Sequence, residues 1–431
     1  MLSKLQSLVN TEEKKRLVSN IFSLSILQGL NYILPLITFP YLVRVLGVEY
    51  FGLLSFATAT IAYFQIITDY GFNLTATREV SINRDNKAKL TEIFSSVMTI
   101  KVLLMVLSII LLSILVFSFD KFAKDWLVYY LTFGMVIGQV LFPVWFFQGM
   151  ERMKYITYLN ILAKTIFTVA IFVLVREKSN YYFVPLLNSL GFIIVGIWSL
   201  VIVKKTFGIS YEIQSLEMIK HHLKEGWYVF VSNIAISLYT ISTSFILGLF
   251  TNNTVVGYYA AGEKIIKAVQ GLYSPITQAI YPYISKKVHQ SKIEGLILIR
   301  KITIILGLIM FTISLLIFMF AEPIVIILLG NEYYHSSIVV KILSFLPFII
   351  YLSNIFGIQT MLNFGRKTAF SRILITGSIL NIILSLVLVP LYQYIGSSIT
   401  VLFIELFITL TMLRDLQKSG INLIKGELRD V

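Results

Sequence analysis

Lysine is costly in hydrocarbon, and this chain puts five of them there. Lys101, Lys164, Lys264, Lys267 and Lys341 fall inside long apolar runs, together with Glu263 and Glu405, and Asp69 stands near the end of another run. A charge at mid-membrane costs about 2.5–3.5 kcal/mol even on forgiving insertion scales, so such residues normally face a bundle interior or a wet cavity. Lysine outnumbers glutamate inside the runs, which leaves a cationic excess. The chemistry offered is capture of an anion, such as a phosphate or an acidic sugar. Glu405 offers something different. It lies mid-run with no lysine in the same run, and a lone intramembrane carboxyl suits ion coupling. Glu263 and Asp69 are further candidates for that role.

Each residue also has a plainer explanation. Lys341 is close enough to the outer end of its run to snorkel to the headgroups. Glu263 and Lys267 are four residues apart and can simply pair on one helical face. Glu405 can form a salt bridge with a lysine on another helix. Lys101 and Lys164 lie about 12–14 Å from the ends of their runs at 1.5 Å per residue, so the reading that favours them is cavity lining. Asn20, Gln28 and Asn31 share one face of the first run, followed by Pro35 and Pro40. Amides at helix interfaces can be packing glue, and prolines beside a polar face suit a bendable helix along a pathway. Pro275 and Pro282 could act similarly in the eighth run. Gly134 and Gly138 form a GxxxG that predicts close helix packing.

Several chemistries are not expected. There is no cysteine, so disulfides and thiol catalysis are excluded. His221 and His222 have no convergent carboxylates in sequence, and no metal site or catalytic residue is expected. No phosphate-cradling Gly-rich loop ends in Lys-Ser/Thr, so nothing suggests ATP hydrolysis or any cofactor.

The elements that must position these residues follow from composition. Of 431 residues, 57% are hydrophobic and 13% charged. A soluble domain carries about 25% charged residues, so lipid must be part of this chain's solvent. Net charge is +14. Its lysines and arginines sit in short loops between apolar runs, which points to membrane topology rather than nucleic acid. Runs of about 20 apolar residues predict twelve transmembrane helices. They lie near 18–42, 50–71, 93–119, 126–149, 155–175 and 181–203, then 227–250, 255–284, 296–320, 336–361, 373–389 and 393–413. With both termini cytoplasmic and the inner segment before the ninth span counted through residue 301, inner segments carry 26 Lys/Arg and outer loops 5, as the positive-inside rule demands. The first run is long and lacks a small-residue cleavage site, so it reads as an uncleaved helix rather than a signal peptide.

The expected organisation is an N-terminal six-helix lobe (1–203), a cytoplasmic amphipathic linker (204–226), a C-terminal six-helix lobe (227–413) and a cytoplasmic tail (414–431). Ile213, Leu216, Ile219 and Leu223 give the linker its helical apolar spacing. Even-numbered halves would be parallel repeats with substrate between them. Two short echoes fit: Val18-Ser19-Asn20-Ile21 with Val231-Ser232-Asn233-Ile234, and Tyr50-Phe51-Gly52-Leu53 with Val255-Val256-Gly257-Tyr258.

Four blocks carry a family resemblance over essentially the whole chain. YFGLLSFATA at 50–59, DYGFNLTATREVS at 69–81, FPVWFFQGMERMKYIT at 142–157 and VGYYAAGEKIIKAVQGLYSPITQAIYPYIS at 256–285 resemble the O-antigen and capsule repeat-unit translocases of the Wzx or RfbX type. The resemblance implies a polytopic all-α protein of the multidrug/oligosaccharidyl-lipid/polysaccharide exporter superfamily, with two six-helix lobes in a V. It implies a cationic cavity, a proton or sodium gradient as driving force, and undecaprenyl-pyrophosphate-linked oligosaccharide as cargo, flipped across the bacterial inner membrane. A polysaccharide polymerase and a chain-length regulator are implied as partners, alongside membrane lipids. Arg78 and Glu79, with Glu263, Lys264 and Lys267, are the matched motif charges. Arg44 precedes the VLG turn as a basic residue often does in relatives. A lipid II flippase or multidrug exporter of the same superfamily is the near alternative. A membrane polymerase is the distant one, because it needs convergent groups on sizeable outer loops.

Overall fold

Backbone amides in hydrocarbon have no water to bond, so long apolar runs must satisfy them internally as helices. The computed structural model describes residues 12–423 and 427–428 and is helical almost throughout. The fold is all-α, apart from a two-residue antiparallel bridge pairing Ile421 with Leu428. Eight runs among the described residues are separately long and apolar enough to cross a membrane. These eight, found among the described residues alone, do not recount the twelve expected spans. Neighbouring expected spans share one helix where a kink replaces a loop. The stretch 255–284 is helical but carries Glu263, Lys264 and Lys267, and parts of 18–42 and 227–250 lie outside the residues whose side chains the structure describes.

The chain divides into two compact units. The first holds the residues up to Leu46 and Ala57–Ile234. It begins with α1 (Glu12–Asp69), which is broken at Gly47, where φ of 71° is open to a residue without Cβ. It continues with α2 (Phe72–Ile82), α3 (Lys87–Ser118), α4 (Trp126–Leu141), α5 (Val144–Gly149), α6 (Met153–Leu174) and α7 (Phe183–Phe207). The first part of α8 (Leu216–Thr240) belongs here too. The side chains of Asn20, Gln28 and Asn31 lie outside the described residues.

The core of this unit is aromatic. Pro143 interrupts the helix, and the short α5 that follows buries Trp145, Phe146 and Phe147 completely. α2 is laced to it: Thr77 Oγ1 donates to the Trp145 carbonyl at 3.2 Å and Arg84 Nε to that of Gly149 at 2.6 Å. Arg84 also pairs with Glu151 at 2.8 Å. Two blocks far apart in sequence, 69–81 and 142–157, thus form one packed corner.

The GxxxG of α4 packs as its spacing predicts. A Cβ on Gly138 would meet Phe192 Cβ at 2.5 Å and the α7 backbone at 2.6 Å, and one on Gly134 would meet Ser189 at 2.5 Å. Ser199 Oγ donates to the Leu141 carbonyl at 3.2 Å across the same seam. Gly138→Ala forces backbone apart and is expected to destabilise by about 1–3 kcal/mol. The loss should show as a lower temperature at which the purified protein leaves its monodisperse size-exclusion peak. An unchanged temperature would mean that the seam is looser than described.

The linker differs from its expected form. Gly208, at φ 67°, ends α7, and residues 208–215 are irregular. The helix resumes at Leu216 and runs on to Thr240, so the amphipathic turns open a long helix rather than forming a separate one. Ile213 lies outside that helix and is exposed, while Ile219 and Leu223 pack on the aromatic core. Tyr70 stacks on Phe230 at 4.6 Å. His222, 3% exposed, sets Nδ1 3.3 Å from Glu79 Oε2.

The second unit holds Gly47–Phe56 and the residues from Ala235 on. It contains the end of α8, α9 (Ser242–Phe250), α10 (Asn253–Gln290), α11 (Lys292–Met319), α12 (Ala321–Leu329), α13 (Ser336–Leu343), α14 (Leu346–Asn354) and α15 (Lys367–Lys418). A π-helical turn, Ile355–Met361, follows α14. α15 counts 52 residues, which as a straight rod would run about 78 Å against about 30 Å of hydrocarbon. It is instead a hairpin. The break is Gln393, at φ 51° and ψ −127°, and a Cβ on Gly377 would touch Ile408 at 2.8 Å. Buried Asn381 joins the hairpin to α9, accepting from Ser242 at 3.0 Å and Thr243 at 3.3 Å. Such hydrogen bonds hold helices together where lipid offers no hydrophobic drive.

Candidate functional site

In the first unit the charges gather around the end of α1. Asp69 is the last residue of α1 and Lys101 lies fifteen positions into α3. Side chains on a helix lean toward its N-terminus, so Lys101 leans back toward the level of Asp69. The two charges attract each other. Lys101 is 2% exposed, among the largest fully buried side chains of the protein. Asp69 is half-buried, accepts from Asn73 Nδ2 at 2.6 Å and takes the Gly71 amide as a second donor. A buried ammonium thus has a counter-charge that is itself held in place from α2. The expectation had put Lys101 in the cavity wall and Asp69 among the coupling groups; the structure makes them neighbours.

The other candidates of this unit stand apart from that pair. Arg78 is exposed on α2, and Lys164 is half-buried on α6. Glu79, one residue from Arg78, turns the other way and meets His222.

In the second unit the charges lie along one stripe of α10. Tyr259, fully buried, donates from Oη to Glu263 Oε1 at 3.4 Å. Lys267 Nζ approaches the same oxygen at 2.9 Å. Positions 259, 263 and 267 follow each other at one helical turn, so the stripe is a consequence of spacing. Lys264 sits on the adjacent line of the helix. It remains exposed, with Nζ 5.7 Å from the centre of the Phe51 ring, within cation–π range.

Phe51 reaches that place because its segment lies backbone to backbone on the first turns of α10. A Cβ on Gly52 would fall 1.8 Å from the Asn253 carbonyl oxygen, and one on Gly257 2.2 Å from that of Val48. The two stretches that echo each other in sequence, 50–53 and 255–258, are therefore packed against each other through their matched glycines.

Glu405 is half-buried on the second limb of the α15 hairpin, within electrostatic reach of the buried Tyr273 hydroxyl on α10. Tyr273 also meets Tyr351 edge-on at 6.1 Å. Lys341 is exposed with Nζ 5.3 Å from the Phe318 ring, as a snorkelling lysine beside an aromatic would be. Sequence reasoning passed over Tyr259, Tyr273 and Phe51. Tyr259 was detectable, lying four residues before Glu263; Tyr273 and Phe51 lie on helices other than those of Glu405 and Lys264, which they respectively approach, and carried no such signal. Among the described residues no cluster of three or more metal-ligating side chains occurs.

Comparison with known proteins places this geometry. Residues 17–288 match the model of a family described as polysaccharide biosynthesis protein. The chain is 39% identical over 400 residues to a protein of Escherichia coli (strain K12) named as an O-antigen transporter, covering 93% of this chain and 96% of that one. A Shigella dysenteriae protein of the same name is 30% identical over 403 residues, covering 92% and 98%. Two solved structures share the fold at 13% identity. Lipid II flippase MurJ in an inward closed conformation has a TM-score of 0.68 over 91% of this chain and 87% of that one. An inward-facing multidrug resistance transporter of the MATE family, MOP superfamily, has 0.64 over 93% and 97%.

Proposed function

Because the chain belongs to the polysaccharide biosynthesis protein family, whose matched relatives here are transporters, we propose that it flips a lipid-linked oligosaccharide repeat unit across the bacterial inner membrane for O-antigen or capsule assembly. It is a multi-pass membrane transporter and not an enzyme. The observation that carries the proposal is near-full-length identity of 39% to a protein named as an O-antigen transporter. Physics supplies the mechanism. A pyrophosphate bearing a polar glycan cannot cross about 30 Å of hydrocarbon unaided. Lys101, Lys164, Lys264, Lys267 and Arg78 would replace its hydration with ammonium and guanidinium groups, while the polyprenyl tail stays in lipid. Gln28 and Asn31 would extend the polar lining from the first helix.

Alternating access of the two lobes, 1–203 and 227–413, would then change the side on which the headgroup is exposed. Glu405, Glu263 and Asp69 are the groups through which a proton or sodium gradient would bias that equilibrium, since a ligand shifts two states only by its differential affinity for them. Both termini would be cytoplasmic, as the positive charge of the loops demands. The delivered unit would pass to a polysaccharide polymerase and its chain-length regulator.

Cells lacking the protein test this. Surface polysaccharide should vanish and the lipid-linked unit should accumulate where an impermeant label applied to spheroplasts cannot reach it. If single units are labelled from outside yet fail to polymerise, the flippase reading is wrong, and a polymerase or scaffold role replaces it.

A further inference from the structure

A groove of about 660 Å³ opens on the first unit between α3, α7 and the irregular segment after Gly208. It takes no part in the transport reading above. Its floor is apolar: Phe94 and Met98 from α3 and Ile209 from the segment are all buried. Its α3 wall follows one helical face, where Val102 and Leu103 lie exposed. The same exposed apolar strip continues along α3 through Val106, Ile110 and Ile114. A helix that shows such a strip in a membrane protein shows it to lipid. One end of the groove therefore opens onto acyl chains.

The other end is cationic and polar. Lys204, in the last turn of α7, lines it, with Lys205 beside it. Lys87 comes close to the same corner, its Nζ 2.8 Å from where a Cβ on Gly208 would be. Tyr211 forms the rim, its hydroxyl 2.9 Å from Thr99 Oγ1, and the Glu212 amide donates to Ser95 Oγ at 3.0 Å. The acid near this mouth is Glu212; Glu92, further along α3, is paired with Lys89 at 2.6 Å. Tyrosine at an apolar–polar boundary is an interfacial residue, and lysines there attract anionic headgroups.

An apolar trough closed at one end by ammonium groups has the chemistry of a single amphiphile with an anionic head. We propose that the groove binds an anionic phospholipid, one acyl chain between α3 and α7 and the phosphate on Lys204. From Phe94 to Leu103 it extends about 14 Å at 1.5 Å per residue. That is the scale of most of one acyl chain and a small part of a polyprenyl tail, so the occupant is a bilayer lipid rather than the cargo. The lipid pins the segment that joins α7 to α8 against α3.

The test uses the whole protein, purified in a neutral detergent, with phosphatidylglycerol or phosphatidylcholine added, and reads bound lipid by native mass spectrometry together with thermal unfolding. Phosphatidylglycerol should bind and raise the unfolding temperature, and phosphatidylcholine should do so much less. Lys204→Glu should weaken phosphatidylglycerol binding by roughly tenfold or more, since each lysine near a lipid surface contributes about a factor of five. Leu103→Trp, which fills the trough while leaving the lysines in place, should also abolish it. Lys301→Glu, an exposed lysine on α11, should leave it unchanged and controls for net charge. Equal binding of the two lipids, retention in Lys204→Glu or in Leu103→Trp, or displacement of phosphatidylglycerol by the lipid-linked oligosaccharide would each overturn the proposal. A failure of these outcomes leaves the transport reading intact, because the spheroplast assay is independent of bound phospholipid.

Discussion

Lys101→Met should lower translocation of the repeat unit by about a hundredfold or more while the protein still reaches the membrane. An ammonium about 4 Å from a cargo phosphate, at an effective dielectric constant near 20, would contribute about 4 kcal/mol, and each 1.4 kcal/mol is a factor of ten. Part of that is recovered by water entering the space. Lys101 is fully buried and its counter-charge is Asp69, so a purely structural role predicts a different pattern from a transport role. Removing one partner of a buried pair leaves the other uncompensated, at a cost of about 3–5 kcal/mol. Asp69→Asn alone should therefore depress the yield of folded protein. The double substitution Asp69→Asn with Lys101→Met should recover folding, because no lone charge remains, yet should stay defective in transport. Surface polysaccharide measured against protein content separates the two effects. Normal transport in the double variant would reduce the pair to a packing element.

On α10 the expected ranking is Lys264 above Lys267. Lys267 is 57% exposed and paired with Glu263, and exposed ion pairs contribute about 0–1 kcal/mol. Lys267→Ala should therefore cost translocation less than about fivefold. Lys264 instead lies over Phe51, a contact worth about 0.5–2 kcal/mol, and it feels both Glu263 and Lys267. Lys264→Glu would set a second carboxylate beside Glu263 and make the stripe acidic, and should reduce translocation at least tenfold. Initial rates of headgroup exposure in proteoliposomes would give the ratio, and a larger loss in Lys267→Ala than in Lys264→Glu would contradict the assignment.

Some of this was legible in the residues themselves. The Glu263–Lys267 pair follows from four-residue spacing on a helix, and the Gly134–Gly138 seam from its motif. The all-α membrane character follows from run length alone. The Lys101–Asp69 neighbourhood does not, because the two residues lie on different helices and nothing in either run names the other. Glu405 was recognisable as an isolated acid, but its proximity to Tyr273 depends on how α15 folds back. The reversal within α15 was legible: the sequence separates 373–389 from 393–413, and the backbone breaks at Gln393. The linker misled. Its apolar spacing is helical from Ile213, but Gly208 and the anchoring of Tyr211 and Glu212 to α3 hold residues 208–215 out of the helix.

The α15 hairpin has a consequence for how the protein is made. Its two limbs meet directly through Gly377 and Ile408, and the reversal at Gln393 leaves almost no loop to thread. The limbs can therefore leave the insertion machinery side by side, as one unit, with their mutual contacts already in place. Because Glu405 lies on the second limb, the site around it is completed only after the chain has passed the reversal at Gln393. A nascent chain stalled before Gln393 would present the small-residue face around Gly377 to lipid, where quality-control proteases that survey exposed helix interfaces could engage it.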